Sequence, residues 1–266
     1  MTTLTPRKRL IPVLIFALAG CWSGLAPAAG TTSSQALTGL FERSWEQELV
    51  DNPMMASYLG DSRFNDRWTD MSLAALERRH ARDRVTLEAL RAIPRTALTP
   101  AEQLDYDLFA REYEERIATW RFKPYLYQID HQGGIQTLSE ITELLPFRTV
   151  KDYEDWIARL ETVDTLVDQY IELLKIAIAE KRTQPRAIMQ RLPAQLSLQL
   201  VDSPEKSPFH APFERFPESI SAAERERLTA AARTAIARHV LPAYRRFAQF
   251  FNDRYLPATV ARVAGR

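Results

Sequence analysis

Cysteine is almost absent from this 266-residue chain: Cys21 is the only one. With no second thiol an intrachain disulfide is impossible, so the fold must be held by packing. Histidine is scarce as well. His80, His131, His210 and His239 are the full set, none has another histidine three or four residues away, and no His-Glu dipeptide occurs. That excludes a zincin-type site, which sets two imidazoles on one helix face. No Gly-x-Ser-x-Gly elbow and no Gly-x-x-x-x-Gly-Lys loop is present, which removes those nucleophile and phosphate-cradling arrangements. Glycine numbers 8, and no long run alternates apolar and polar residues as a half-buried strand would.

An N-terminal signal is present. Arg7, Lys8 and Arg9 form a positive cluster, and an uncharged apolar run follows from Leu10 to Gly20. A run of this length suits a secretory signal and is too short to span a bilayer. It ends Leu18-Ala19-Gly20-Cys21, small residues before a cysteine, which predicts a signal peptide over 1–20 and lipidation at Cys21. Lipidation also accounts for the lone thiol and leaves none for catalysis. Ala26-Pro27-Ala28 offers the rival site for ordinary signal cleavage. The expected location is the bacterial cell envelope, membrane-anchored through lipid and facing the periplasm; the alternative is a soluble periplasmic or secreted protein.

Lys and Arg total 35 and Asp and Glu 34. Removing Arg7, Lys8 and Arg9 leaves 32 basic against 34 acidic side chains, a net charge of −2. No basic field remains to attract nucleic acid, which is not an expected partner.

Small polar residues over 21–35 read as a flexible tether, and 36–266 as one helical region. Leu37, Leu40, Phe41, Ser44, Trp45, Glu48 and Leu49 share a helix face. Pro53 opens a short segment that Gly60 stops; Asp61 to Asp70 reads as a loop turning Phe64 and Trp68 inward; a helix covers 72–92. Thr99-Pro100-Ala101-Glu102 is a capping box. Its helix runs to about Trp120, with Leu104, Leu108, Tyr113 and Ile117 expected inside. Thr149 with Asp152 starts a long amphipathic helix through Leu174. Pro185 opens another, which Pro193 breaks or kinks. Four prolines over 202–218 interleave with Phe209, Phe213 and Phe216, an ordered loop with its aromatics buried. Ser221-Ala222-Ala223-Glu224 is a further capping box, and Pro242 should kink the helix that follows. The fold class is therefore all-α: an array of long antiparallel helices with proline-rich connecting loops. Residues 261–266 show no cap or closing apolar anchor, so the domain reads as incomplete.

Positive signals for chemistry are weak. Asp130, His131 and Gln132 stand beside Gly133 and Gly134, and a polar cluster on a glycine loop can present groups to a ligand. A plain turn capped by its own Asp, with an exposed His, is the stronger reading of so small a motif. His210 is expected to pack against an aromatic ring, His80 to be solvated, and His239 to cap a helix end or be partly buried. No residue is assigned a catalytic or metal-ligating role.

Several stretches together resemble the bacterial domain-of-unknown-function 885 family (DUF 885). They are Asn52-Pro53 with Ala56 and Leu59-Gly60-Asp61, Trp68-Thr69-Asp70-Met71-Ser72, and Gln128-Ile129-Asp130-His131-Gln132-Gly133-Gly134-Ile135 with Leu144-Leu145-Pro146-Phe147. Asp152-Tyr153 with Trp156 through Leu160, Ser207-Pro208-Phe209, Pro212-Phe213, Phe216-Pro217, Val240 through Tyr244 and Tyr255-Leu256-Pro257 complete the set. The resemblance implies a helical, exported and often lipid-anchored protein, usually about twice this length and related to zinc metallopeptidases. The family's His-Glu and Pro-Gly-His metal motif lies in a C-terminal half that this sequence does not include. Zinc is expected only for that half, peptide substrates only in its company, and no family zinc ligand is carried onto this chain. The expected function is a helical half that is inactive alone; the alternative is a non-catalytic scaffold or partner-binding lipoprotein.

Overall fold

The computed structural model describes residues 29–260. The export signal, Cys21 and Ala26-Pro27-Ala28 lie outside them. Among the described residues the protein is all-α, with one isolated backbone bridge between Pro185 and Val260.

Helix α1 spans Ala29–Asp51 and α2 Pro53–Tyr58. The segment expected to be a tether is thus helical from Ala29 onward. Ser33 is buried, and Ser34 bonds the Glu102 carboxylate, so tertiary contacts recruit this polar stretch into the helix. Gly60 ends α2 at φ +84°, a conformation that suits glycine. Helix α3 spans Leu73–Arg91, capped by the Ser72 hydroxyl, which accepts from the Ala75 N–H. Helix α4 spans Pro100–Thr119 behind the expected Thr99–Glu102 capping box. His80 meets Trp120, Arg91 meets Glu114 and Arg95 meets Asp107, so α3 and α4 are antiparallel.

These helices enclose their own core of Leu37, Leu40, Leu87, Leu90, Leu98 and Tyr113. Leu104 and Leu108, expected inside, are instead exposed at 59% and 58%. The inward ridge of α4 is carried by Tyr106, Phe109, Ala110, Tyr113 and Ile117. A stripe of three-and-four spacing fits that aromatic row as well as the leucines, and the rings bury more apolar area.

A larger core occupies the rest. Helix α5 spans Val150–Glu161 with a Thr149–Asp152 capping box, and α6 spans Val163–Ala179. The sequence reads these as one helix. The break falls at Thr162, at φ −113° and ψ 6°. The Trp68 indole N–H donates to the Arg159 carbonyl at 2.7 Å, and the Thr162 hydroxyl donates to it at 3.1 Å. That carbonyl is thereby drawn out of the regular ladder.

Helix α7 (Arg186–Met189) follows Pro185 as expected, but it ends at Met189, ahead of Pro193, which instead sits in the first turn of α8 (Leu192–Ser197). The proline-phenylalanine loop forms 3₁₀ turns over Pro204–Lys206 and Pro208–Glu214, with Phe209 and Phe213 buried. Helix α9 spans Ala222–Ala235, α10 Leu241–Phe250 and α11 Leu256–Ala258, joined by π-helical turns Ile236–Val240 and Phe251–Tyr255. Each wide turn sits just before a proline, Pro242 and Pro257. A proline lacks an N–H and crowds the carbonyl four residues back. Here the Leu241 N–H reaches Ile236 O and the Leu256 N–H reaches Phe251 O, the five-residue bond of a π-bulge, and the rod continues. Asp164 meets His239 and Asp168 meets Arg246, so α6 and the α9–α10 rod run in the same direction. The long connection between α6 and α9 makes that geometry available.

Candidate functional site

The loop carrying Asp130, His131 and Gln132 is a tightly tied turn. One Asp130 carboxylate oxygen accepts from the Gln132 and Gly133 N–H groups at 2.7 and 3.0 Å, and the Asp130 N–H donates to Gly133 O at 3.0 Å. Side-chain amides then hold the loop's carbonyls. Gln136 donates to Asp130 O at 2.7 Å, Gln195 to His131 O at 2.9 Å, and Gln184 to Ile129 O at 3.3 Å. The Tyr244 hydroxyl donates to Ile135 O at 2.6 Å. Gly134 sits at φ +135°, and a Cβ there would meet the Ile129 Cα at 3.2 Å. Asp130 closes its own turn. His131 is half-buried rather than simply exposed, with its Nδ1 unpartnered, and Gln132 is exposed.

The other histidines are structural. His80, expected to be solvated, is buried and stacks on Trp120 at 4.4 Å and 5°. Its Nε2 accepts from Arg84 at 3.0 Å, and burial first, then Arg84, hold the ring's pKa down. His210 is buried beside Phe213, at 5.7 Å, with both ring nitrogens unpartnered. Burial lowers its pKa, helped by Arg233. His239 pairs through Nδ1 with Asp164 at 2.8 Å.

The concave chemistry lies elsewhere, between α1, α3 and α4. Two spaces adjoin there, sharing Ser44, Glu48, Tyr113 and Arg116 in their walls. The outer one, about 390 Å³, is walled by Phe41, Trp45, Met55 and Phe109. Phe41 and Phe109 pack at 4.6 Å, as do Phe109 and Tyr113. Trp45 and Met55 are exposed at 52% and 42%. The inner space, about 190 Å³, is charged, with Asp51, Arg79, Arg82 and Asp83 in its walls.

Most of those charges are matched. Arg116 donates to Glu48 at 3.2 Å and Glu112 at 2.8 Å and lies 5.2 Å over the Tyr113 ring. Arg82 pairs with Asp51. Arg79 donates to the backbone carbonyls of Asp51 and Asp70 at 3.1 and 2.6 Å, while its buried Nε has no partner. Asp83 differs: its carboxylate forms no hydrogen bond or ion pair among the described residues. Burial pushes its carboxyl up to about 6, against the pull of Arg116 and with the push of Glu48. A half-buried carboxyl with a shifted pKa in a concave site marks a functional candidate. Sequence reasoning passed over it, since Asp83 lies on a highly charged helix where such residues are usually solvated. The available signal was the aromatic pair Phe41 and Trp45 beside the apolar face that Leu37, Leu40 and Leu49 mark on α1.

Two further concavities are less built. One is a groove between α6 and α10, walled by Ile171, Phe250 and paired charges such as Asp168 and Arg246. The other is a small polar hollow beside Trp68, Arg78 and Arg79. Among the described residues no three His, Cys, Asp or Glu side chains gather as a metal site, and no helix is long and apolar enough to cross a membrane.

The fold and the pocket define an all-α protein with a ligand-sized cleft between its first long helices. The chain belongs to the family described as "Bacterial protein of unknown function (DUF885)", which it matches over residues 53–266. Among solved structures it is similar to the "putative lipoprotein from Colwellia psychrerythraea", with a TM-score of 0.73 and 17% identity. That match covers 85% of this chain and 42% of the other, so the chain spans under half the length of that relative. No match is found among curated proteins.

Proposed function

We propose that this protein is an exported, lipid-anchored helical module of the bacterial envelope that holds a ligand rather than transforming it. In this reading it corresponds to the substrate-holding half of a metallopeptidase-like assembly, and it cleaves no peptide bond alone. The observation that carries the binding role is the α1–α3–α4 pocket, where an apolar vestibule adjoins the unpaired, half-buried Asp83. Support for export comes from the Arg7-to-Gly20 segment before Cys21 and from the name of the similar Colwellia protein.

The test is expression of the full chain in a bacterium, with membrane fractionation and mass spectrometry of the N-terminus. The wild type should be found in the membrane fraction with diacylglyceryl on Cys21, and Cys21→Ala should leave the membrane. Lipid-free chain cleaved after Ala28 would sink the anchoring. Release of amines from a mixed peptide library by the purified chain, sensitive to chelator, would sink the non-catalytic role.

A further inference from the structure

The pocket between α1, α3 and α4 has a composition that selects its ligand's charge. Its outer walls are aromatic rings and a thioether: Phe41, Trp45, Phe109 and Met55. Around its inner end stand three carboxylates, Glu48, Asp83 and Glu112, with Arg116 as the cation shared among them. The other two arginines of the inner space are engaged, Arg82 by Asp51 and Arg79 by two backbone carbonyls.

We propose that this pocket binds an organic ammonium ion, with its hydrocarbon body between Trp45 and the Phe41–Phe109 pair and its charged nitrogen at the Asp83 side. This rests on the reading of the pocket as a binding site and names the class of ligand it takes. Four physical arguments support it. The rings of Phe41, Trp45 and Phe109 and the polarisable Met55 sulfur give a hydrocarbon body apolar surface to pack on. Across both spaces four carboxylates, Glu48, Asp51, Asp83 and Glu112, stand against three guanidiniums, Arg79, Arg82 and Arg116. The Asp83 carboxylate has no hydrogen-bond or ion-pair partner among the described residues, and its burial makes the unpaired charge costly. An ammonium group would pair with that charge. The volume, about 390 Å³, lies within the roughly 300–1,000 Å³ typical of small-molecule sites.

Isothermal titration of the purified full chain with hexylammonium, benzylammonium, hexanol and hexanoate tests this. The expected order is ammonium ions first, at least about tenfold tighter than hexanol, with hexanoate weakest. Trp45→Ala should weaken hexylammonium binding about tenfold, and Asp83→Asn should narrow the gap between hexylammonium and hexanol. Trp45 is exposed, so its replacement should leave the melting transition in place, and Glu112→Gln gives a second reading of the charge. Hexanoate binding best would assign the site to anions at Arg79. Equal binding of all four, binding unchanged in Trp45→Ala, or no saturable binding below 10 mM, on the order of the weakest specific affinities, would each overturn the proposal. Membrane fractionation reads the anchoring independently, so the two readings fail separately.

Discussion

The Arg159 guanidinium lies 5.1 Å over the Trp68 ring, while the Trp68 indole N–H donates to the Arg159 carbonyl at 2.7 Å. Each residue thus grips the other at both ends. Arg159 is fully buried, and its Nη2 donates to Phe64 O at 2.8 Å and Ser57 Oγ at 3.0 Å. Nε and Nη1 find no partner, and burial brings its pKa down to about 10. One side chain of α5 therefore holds the turn that follows α2.

Arg159→Ala should cost about 3 kcal/mol, the scale for removing one member of a buried polar network and opening a cavity. Arg159→Met keeps the stem and removes the buried charge, so it should cost less. Urea denaturation followed by circular dichroism measures both. An Arg159→Ala midpoint equal to the wild type would show that the contacts carry no stability.

Asp83 gives a signed pH effect. Burial pushes its folded pKa up to about 6 from an ordinary 3.8. Between those values the folded state binds more protons than the unfolded state, so stability from this group falls as pH rises through the window. Above pH 6 the penalty is complete. Asp83→Asn should raise the melting temperature at pH 7.5, with the gain shrinking toward zero below pH 4. Calorimetry at both pH values decides, and a gain that is larger at pH 4 would contradict the assignment.

His210 works in the other direction with respect to pH. Its folded pKa is depressed, chiefly by burial. The unfolded chain therefore binds the proton first, and stability is lost as pH falls below the ordinary value of 6.5. His210→Phe should flatten the pH dependence of stability below 6.5. His80 shares the same sign, so part of the slope should survive. An unchanged slope in His210→Phe would remove His210 from the account.

Neighbouring glycines provide a matched pair. A Cβ on Gly134 would meet backbone at 3.2 and 3.3 Å and force a positive φ on a residue with a side chain, whereas a Cβ on Gly133 meets nothing within 4 Å. Gly134→Ala should cost about 2 kcal/mol, the scale of backbone strain plus crowding. Gly133→Ala should stay within about 0.5 kcal/mol. Thermal melts of the two variants compare them directly; equal losses would place the constraint elsewhere.

Local chemistry was legible in the sequence. The starts of α4, α5 and α9 follow from Thr99, Thr149 and Ser221, because a cap is a bond between residues three apart. The burial of Phe209 and Phe213 followed from simple hydrophobicity. What depends on distant partners was not legible. The break after α5 is made by Trp68, 91 residues away. The burial of His80 needs the Trp120 ring, and the exposure of Leu104 and Leu108 follows from which ridge of α4 faces α3 and α1. The pocket arises from side chains on four helices, α1 to α4, and no stretch of sequence contains it.

The two wide turns in the α9–α11 rod also set its register. Leu228, Ala232, Ile236, Val240, Tyr244, Phe247, Phe251, Tyr255 and Thr259 are all buried and stand nearly four residues apart. An ordinary α-helix repeats every ~3.6 residues, so this stripe would wind around a regular rod and leave the core. Each wide turn absorbs one extra residue and winds the stripe back into line. Deleting a single residue from either turn would rotate everything beyond it by about 100°. The prolines thus act as markers for a phase correction, and the rod keeps one dry side along its whole length because its period is stretched twice.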